Sequence, residues 1–217
     1  MFPSIDPSDN PPGHIGIVDH DTTDSSNLQR QTLHTEARLG QLKANSAVTS
    51  LQALNSHNIY TAYPFALDPL HAFELVAQYD VVLDCTDRPF TRYLVNDACV
   101  LTGKPLISGA AMRFDGQLCI YNLPYKGEEG EELRGPCYRC LFPVAPKGSE
   151  AGTCEEEGVL GGITGIIGVL QAVECVKYLV GLLGMFDRFL NLPCHPFSPL
   201  GLFRNQRAPR SYCSTHQ

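Results

Sequence analysis

Short apolar runs alternate with stretches of helical period along the first half of this chain. HIGIVD (14–19) is a compact apolar run closing in an acid, as a buried parallel strand does. TEARLGQLKANSAVTSLQAL (35–54) repeats apolar positions at helical spacing, and Thr35 stands before Glu36 as its cap. NIYTAY (58–63) reads as a strand, and 69–78 as a short helix after Asp68-Pro69. YDVVLDCTD (79–87) is the clearest buried strand and ends in polar residues. TRYLVNDACVLTG (91–103) reads as a helix stopped by glycine. KPLISGA (104–110) is the next strand, and GQLCIYNL (116–123) a further candidate.

This alternation predicts an α/β fold: a Rossmann-like, mostly parallel sheet with helices on both faces. Residues 1–13, MFPSIDPSDNPPG, form an irregular N-terminus, and 14–217 are expected to make one domain. PYKGEEGEELRG (124–135) is expected to be a mobile acidic surface loop. The most apolar segment, ITGIIGVLQAVECVKYLVGLLG (163–184), carries Glu174 and Lys177 near its centre, where lipid would penalise them. It is read as a buried helix of a large core or of a subunit interface, with no membrane association.

Composition narrows the picture further. With 43% hydrophobic residues the chain is globular, and a net charge of -7 argues against nucleic-acid binding through a broad basic surface. Nothing at the start reads as a signal peptide. Nine cysteines with a single CxxC suit a reducing, cytoplasmic compartment and metal or thiol chemistry better than a disulfide framework.

Candidate chemistry lies where strands end, since ligands of doubly wound sheets gather there. Asp19 closes one strand and is placed to accept hydrogen bonds from a ribose. Asp84 and Asp87 close another, where Asp87 suits a metal-bound triphosphate; a helix cap or loop carboxylate is the plainer reading of each acid. Arg30, in SSNLQRQ (25–31), and Lys43 are cations suited to phosphate or, more simply, solvated helix decoration. Cys154 precedes a helix, where a thiol can become nucleophilic, although three following glutamates disfavour the thiolate. Cys137 and Cys140 in CYRC, with Cys213 and His216 in CSTH, are two half-sites of matching spacing for a Cys3His zinc; local packing or a redox pair is the alternative.

Several long segments, in order, resemble the adenylating domain of the MoeB/ThiF and ubiquitin-activating superfamily, in particular that of eukaryotic adenylyltransferase–sulfurtransferases. They are IGIVDHDTTDSSNLQRQTLH, RLGQLKA, VVLDCTDRPFTRYLVNDACV, GKPLISGAAMRFDGQLCIYN, GPCYRCLFP and TCEEEGVLGGITGIIGVLQAVECVKYL. The resemblance implies adenylation by ATP of the C-terminal glycine of a ubiquitin-like sulfur-carrier protein, toward thiocarboxylation for tRNA thiolation or molybdenum cofactor synthesis. It implies Asp19 as the ribose acid. Ser26, Asn27, Arg30 and Lys43 become phosphate-side contacts, with Leu28 and Gln29 in the same nucleotide-binding run. Asp87 becomes the acid at the nucleotide–Mg2+ centre, Cys154 the covalent waypoint, and Cys137, Cys140 and Cys213 zinc ligands. His216 stands where the family has its last cysteine. A homodimer is implied.

The chain departs from the family in three ways. Residues 1–13 lack the strand and GxGGxG loop with which the family opens, so an N-terminal truncation is expected. Arg88 stands where the family usually has Asn, to contact phosphate or to block the base pocket. No rhodanese-type domain is expected, so sulfur would come from a separate rhodanese or cysteine desulfurase. The competing expectation is a non-catalytic relative, a zinc-stabilised subunit that binds a partner.

Overall fold

The computed structural model describes residues 12–127, 129–146, 158–182, 188–192 and 201–204, the last two segments by backbone alone. The chain divides into two compact units, residues 1–67 and 68–217.

The first unit is a parallel pair joined by a helical crossover. β1 (His14–Val18) and β2 (Ile59–Tyr63) run in register from His14 opposite Ile59 to Val18 opposite Tyr63. Parallel strands need such a crossover, and α1 (Lys43–Leu54) supplies it, burying Ala44, Ser46 and Ala47. The helix expected from residue 35 begins eight residues later. Glu36–Arg38 make a single 3-10 turn, Leu39 is extended, and Gly40 takes a left-handed φ of 78°. The chain is bent there by backbone bonds, from Gly40 N to Thr23 O (2.9 Å) and from Thr23 N to Gln41 O (2.8 Å). Thr35 caps no backbone amide; its hydroxyl accepts from Arg38 Nε at 3.2 Å.

The second unit opens with α2 (Pro69–Ala77), whose Asp68 cap accepts from the His71 amide. β3 (Val82–Asp84), α3 (Pro89–Thr102) and β4 (Leu106–Met112) form the second parallel crossover. β3 is shorter than the run that predicted it, because the Asp84 side chain captures the Thr86 amide at 3.0 Å and turns the backbone off the ladder. α3 stops at Gly103, where φ is 69°. β5 (Asp115–Tyr121) pairs antiparallel with β4, and β8 (Arg188–Leu192) and β9 (Gly201–Arg204) add further antiparallel pairs, giving the order β3-β4-β5-β8-β9. The α/β class therefore holds through its two βαβ crossovers, and the second sheet is completed by antiparallel strands.

Two further expectations change. Segment 124–135 is a hairpin rather than a loop, with β6 (Pro124–Lys126) paired to β7 (Glu132–Arg134). Its reversal is closed by Gly127 N donating to Glu131 O at 2.9 Å, with Gly130 at a φ of 83°. After a short helical turn, α4 (Tyr138–Leu141), comes the long helix α5 (Gly161–Leu179). It is long and apolar enough to cross a membrane by length and composition. One face lies on β4 and β5 through Ile163, Ile167 and Gln171, and Gly109 and Gly116 permit that approach: a Cβ at Gly109 would sit 2.3 Å from Gln171 Oε1. The expectation of a helix buried in a large core is corrected here, since Ile166, Val169, Val173, Val176 and Val180 are exposed; its alternative, a subunit interface, leaves such a face uncovered in a single chain. Glu174 and Lys177 pair with each other at 2.8 Å.

Candidate functional site

In the first unit, β1 hands the chain directly to a run of tight turns. Asp19 follows the last strand residue, its amide donating to Tyr63 O (3.2 Å) and its carboxylate accepting from the Asp21 amide (2.9 Å). Asp24 caps the next turn by accepting from Ser26 N at 2.8 Å, and the bonds from Ser26 hold its carboxyl below the usual range. Asn27 is buried and faces Arg30, accepting from the guanidinium at 2.7 Å, while Ser26 O takes a second, longer bond at 3.4 Å. Both arms of the arginine fork are thus held by the turn that precedes it, and a guanidinium with five N–H donors has others to give a ligand.

Lys43 begins α1 and is 8% exposed, a rare state for an ammonium. Its Nζ lies 3.1 Å from Asp21 Oδ2, which compensates the burial. Nearby, His34 bonds Ser46 Oγ at 2.9 Å, and its pKa is pushed down by burial, then by Lys43 and Arg38. Thr23 Oγ1 and Gln31 Oε1 are buried polar atoms with no hydrogen-bond partner among the described residues. Asp19, His20 and Asp21 bring three potential ligand atoms within 4.8 Å of one another.

In the second unit, the end of β3 separates two acids by role. Asp84 is 2% exposed and committed to the protein: Oδ1 accepts from the Thr86 amide (3.0 Å) and hydroxyl (2.7 Å), and Oδ2 from Ser108 Oγ (2.7 Å). Asp87, three residues on, is exposed, as are Arg88 and Ser26. Arg88 is the residue before the first turn of α3, whose Pro89 has no amide to satisfy.

The CYRC turn belongs to the same unit. Cys137 and Cys140 place their sulfurs 3.6 Å apart. A disulfide needs about 2.05 Å, whereas two thiolates on one tetrahedral zinc at about 2.3 Å stand roughly 3.8 Å apart. The pair therefore fits half of a zinc site. The turn is held by α3: Asn96 Oδ1 accepts from Tyr138 N (2.7 Å), and Asp97 takes both arms of Arg139 (2.7 and 2.6 Å). Tyr93 donates to Phe142 O at 2.8 Å and lies under the Arg139 guanidinium. Two other thiols are inert by comparison, Cys99 and Cys119 being pushed by burial up to about 12 and about 11.

Of the residues expected from the sequence, Asp19, Ser26, Asn27, Leu28, Gln29, Arg30 and Lys43 lie in the first unit. Asp87, Arg88, Cys137 and Cys140 lie in the second. Cys154, Cys213 and His216 fall outside the described residues, as do residues 1–11. Asp21, the partner of Lys43, was missed, although its place two residues beyond Asp19 was a signal. Arg92 and Gln171 were missed as well, because nothing in a helical pattern tells an arginine that folds inward from one that faces water.

The ThiF family model matches residues 12–213. Among curated proteins, the adenylyltransferase and sulfurtransferase MOCS3 of Drosophila grimshawi is 49% identical over 152 residues, 70% of this chain and 32% of that protein. MOCS3 of Mus musculus is 50% identical over 151 residues, 70% of this chain and 31% of that protein. The uba4 protein of Emericella nidulans is 47% identical over 149 residues, 69% of this chain and 31% of that protein. The chain thus spans about a third of the length of these relatives. Among solved structures, E. coli MccB with MccA-N7isoASN superposes with a TM-score of 0.72 at 19% identity, covering 93% of this chain and 59% of that one. SeMet PaaA superposes with a TM-score of 0.58 at 16% identity, covering 85% and 54%.

Proposed function

The chain belongs to the ThiF family, and from that premise we propose that residues 14–217 act as a cytoplasmic adenylating domain for a ubiquitin-like sulfur carrier. The observation that best supports this reading is the set of turns after β1, in which Asp19 accepts from the Asp21 amide, Asp21 pairs with the buried Lys43 at 3.1 Å, and Asn27 anchors Arg30. In the reaction, a carboxylate oxygen of the carrier's C-terminal glycine attacks the α-phosphorus of ATP, and the bond to pyrophosphate breaks.

Asp19 accepts hydrogen bonds from the ribose hydroxyls. Lys43 spends one of its three donors on Asp21 and points the remainder at phosphate oxygens. Arg30 adds its fork beside Ser26, Leu28 and Gln29, stabilising the charge that grows on the leaving pyrophosphate. Asp87, exposed at the end of β3, would hold Mg2+, which supplies charge neutralisation at the phosphates; Arg88 contacts phosphate at the same loop. Cys154 is the covalent waypoint before sulfur arrives from a rhodanese or cysteine desulfurase, serving tRNA thiolation or molybdenum cofactor synthesis. Cys137, Cys140, Cys213 and His216 would hold a structural zinc.

We also propose a homodimer. Ile166, Val169, Val173, Val176 and Val180 recur at spacings of three and four along α5 and are each 46–65% exposed, a seam suited to the same seam of a second copy. Carrier-dependent ATP–pyrophosphate exchange tests the function. Wild type should exchange, and Arg30→Ala or Lys43→Ala should slow it about 100-fold or more. A folded, dimeric wild type without exchange would favour a non-catalytic, partner-binding subunit.

A further inference from the structure

Arg92 lies in the second turn of α3, only 12% of its side chain exposed, and nothing in the adenylation chemistry above uses it. Its guanidinium turns inward instead of capping the helix. One arm donates to Ser108 Oγ at 3.2 Å and stands 3.7 Å from Asp84 Oδ2. The other donates to the Thr86 carbonyl and to Gly109 O at 3.0 Å. The Thr86 carbonyl belongs to the peptide that leads into Asp87. Asp84 grips the same residue from the opposite side, through its amide and hydroxyl. From α5, Gln171 Nε2 donates to Asp84 O (2.9 Å) and Ile107 O (3.1 Å), pinning the ends of β3 and β4 together. Thr86 is therefore held at its N–H, O–H and C=O, while Asp87 itself faces solvent.

We propose that Arg92 is a positioning residue that aims the Asp87 carboxylate by fixing the Thr86–Asp87 peptide, a reading that rests on the adenylation role given to Asp87. Only a planar fork reaches Ser108, Gly109 and Thr86 at once. A lysine keeps the charge and satisfies one or two of the three. The reading differs from a plain core arginine because its effect falls on one loop and on the ion that loop would hold.

The test compares wild type, Arg92→Lys and Ser108→Ala, the last removing the hydroxyl that bridges Asp84 and the guanidinium. Two quantities are measured on the full chain. One is the Mg2+ concentration for half-maximal carrier-dependent exchange. The other is hydrogen exchange at the Thr86 amide against amides of β4. Arg92→Lys should raise the Mg2+ requirement about tenfold with the carrier KM unchanged. The Thr86 amide should exchange about tenfold faster while β4 stays protected. Ser108→Ala should move both quantities the same way and decides the matter if Arg92→Lys does not fold. An unchanged Thr86 amide, or equal loosening of β4, overturns the proposal. So does a carrier KM that rises in step with the Mg2+ requirement. If wild type shows no pyrophosphate exchange, the adenylation reading fails, and the Thr86 amide still decides whether Arg92 fixes the loop.

Discussion

Replacing Asn122 by alanine should weaken the second unit by about 2–4 kcal/mol, and replacing it by glycine should weaken it less. Asn122 is 4% exposed and sits just past β5 with a φ of 53°, the left-handed region. Its side-chain amide donates to Cys99 O (3.1 Å) and Lys104 O (2.8 Å), gripping the C-terminus of α3 where helix carbonyls lack partners. Its own amide donates to Pro136 O at 3.0 Å, so the same residue ties the β5 corner to the CYRC turn. The two side-chain bonds contribute about 0.5–1.5 kcal/mol each. Cys99 O keeps the Lys104 amide at 2.8 Å, so the loss falls mainly on Lys104 O. Alanine at positive φ adds about 1–2 kcal/mol, which glycine avoids, while glycine's freer unfolded chain takes back roughly 0.5–1. Urea unfolding should rank wild type above Asn122→Gly and Asn122→Gly above Asn122→Ala. An alanine variant within about 0.5 kcal/mol of wild type would refute the hydrogen-bond reasoning. A glycine variant less stable than alanine would refute the backbone reasoning.

His34 predicts a pH dependence. Burial, Lys43 and Arg38 depress its folded pKa below 6.5, so the unfolded chain takes the proton first and stability falls as pH drops below that value. The loss levels off once the folded pKa is passed; His34→Gln should flatten urea midpoints across this window, and an unchanged slope would count against it. Val169→Asp with Val173→Asp should convert a dimer to a monomer in sedimentation at unchanged helicity, whereas a dimer that survives would place the interface elsewhere. Cys140→Ser should lower zinc content per chain below that of wild type, and full zinc retention would remove the CYRC turn from the metal site.

Much of the fold was legible because backbone requirements write themselves into local sequence. Asp68-Pro69 starts α2 and Gly103 ends α3 as expected, since a cap, a proline and a left-handed glycine act within a few residues. Where distant partners decide, the sequence misled. The apolar period across 35–54 was real, yet Gly40 is bound to Thr23, seventeen positions earlier, and the helix forms only beyond it. The acidic stretch 124–135 reads as solvated, but a hairpin needs only a few cross-strand bonds and a tolerant glycine. α5 looked buried because composition cannot tell a face that meets a sheet from one that meets water or a second chain. The site was legible to a similar depth. The expected contacts Asp19, Arg30 and Lys43 fall within one unit because they follow one strand closely. LDCTD offers two acids and the sequence favours Asp87; that Asp84 is committed to the protein depends on Ser108, 24 positions away, and is seen only in the fold.

Within the second unit, α3 emerges as the element that sets the geometry of both loops around it. Near its start Arg92 holds the peptide before Asp87. The next residue, Tyr93, and Asn96 and Asp97 a turn later hold Phe142, Tyr138 and Arg139 around the cysteine pair, and Tyr93 and Tyr138 meet edge to face at 4.9 Å. At its end Asn122 closes the carbonyls of Cys99 and Lys104 while bonding the residue before Cys137. The cysteine turn is thus held by hydrogen bonds from α3, and its sulfurs stand at a separation zinc accepts. Zinc would then act less by shaping this turn than by tying another stretch of chain to it. The contribution of the metal to stability should accordingly scale with the chain it recruits, because the cysteine half-site is held by side chains of α3.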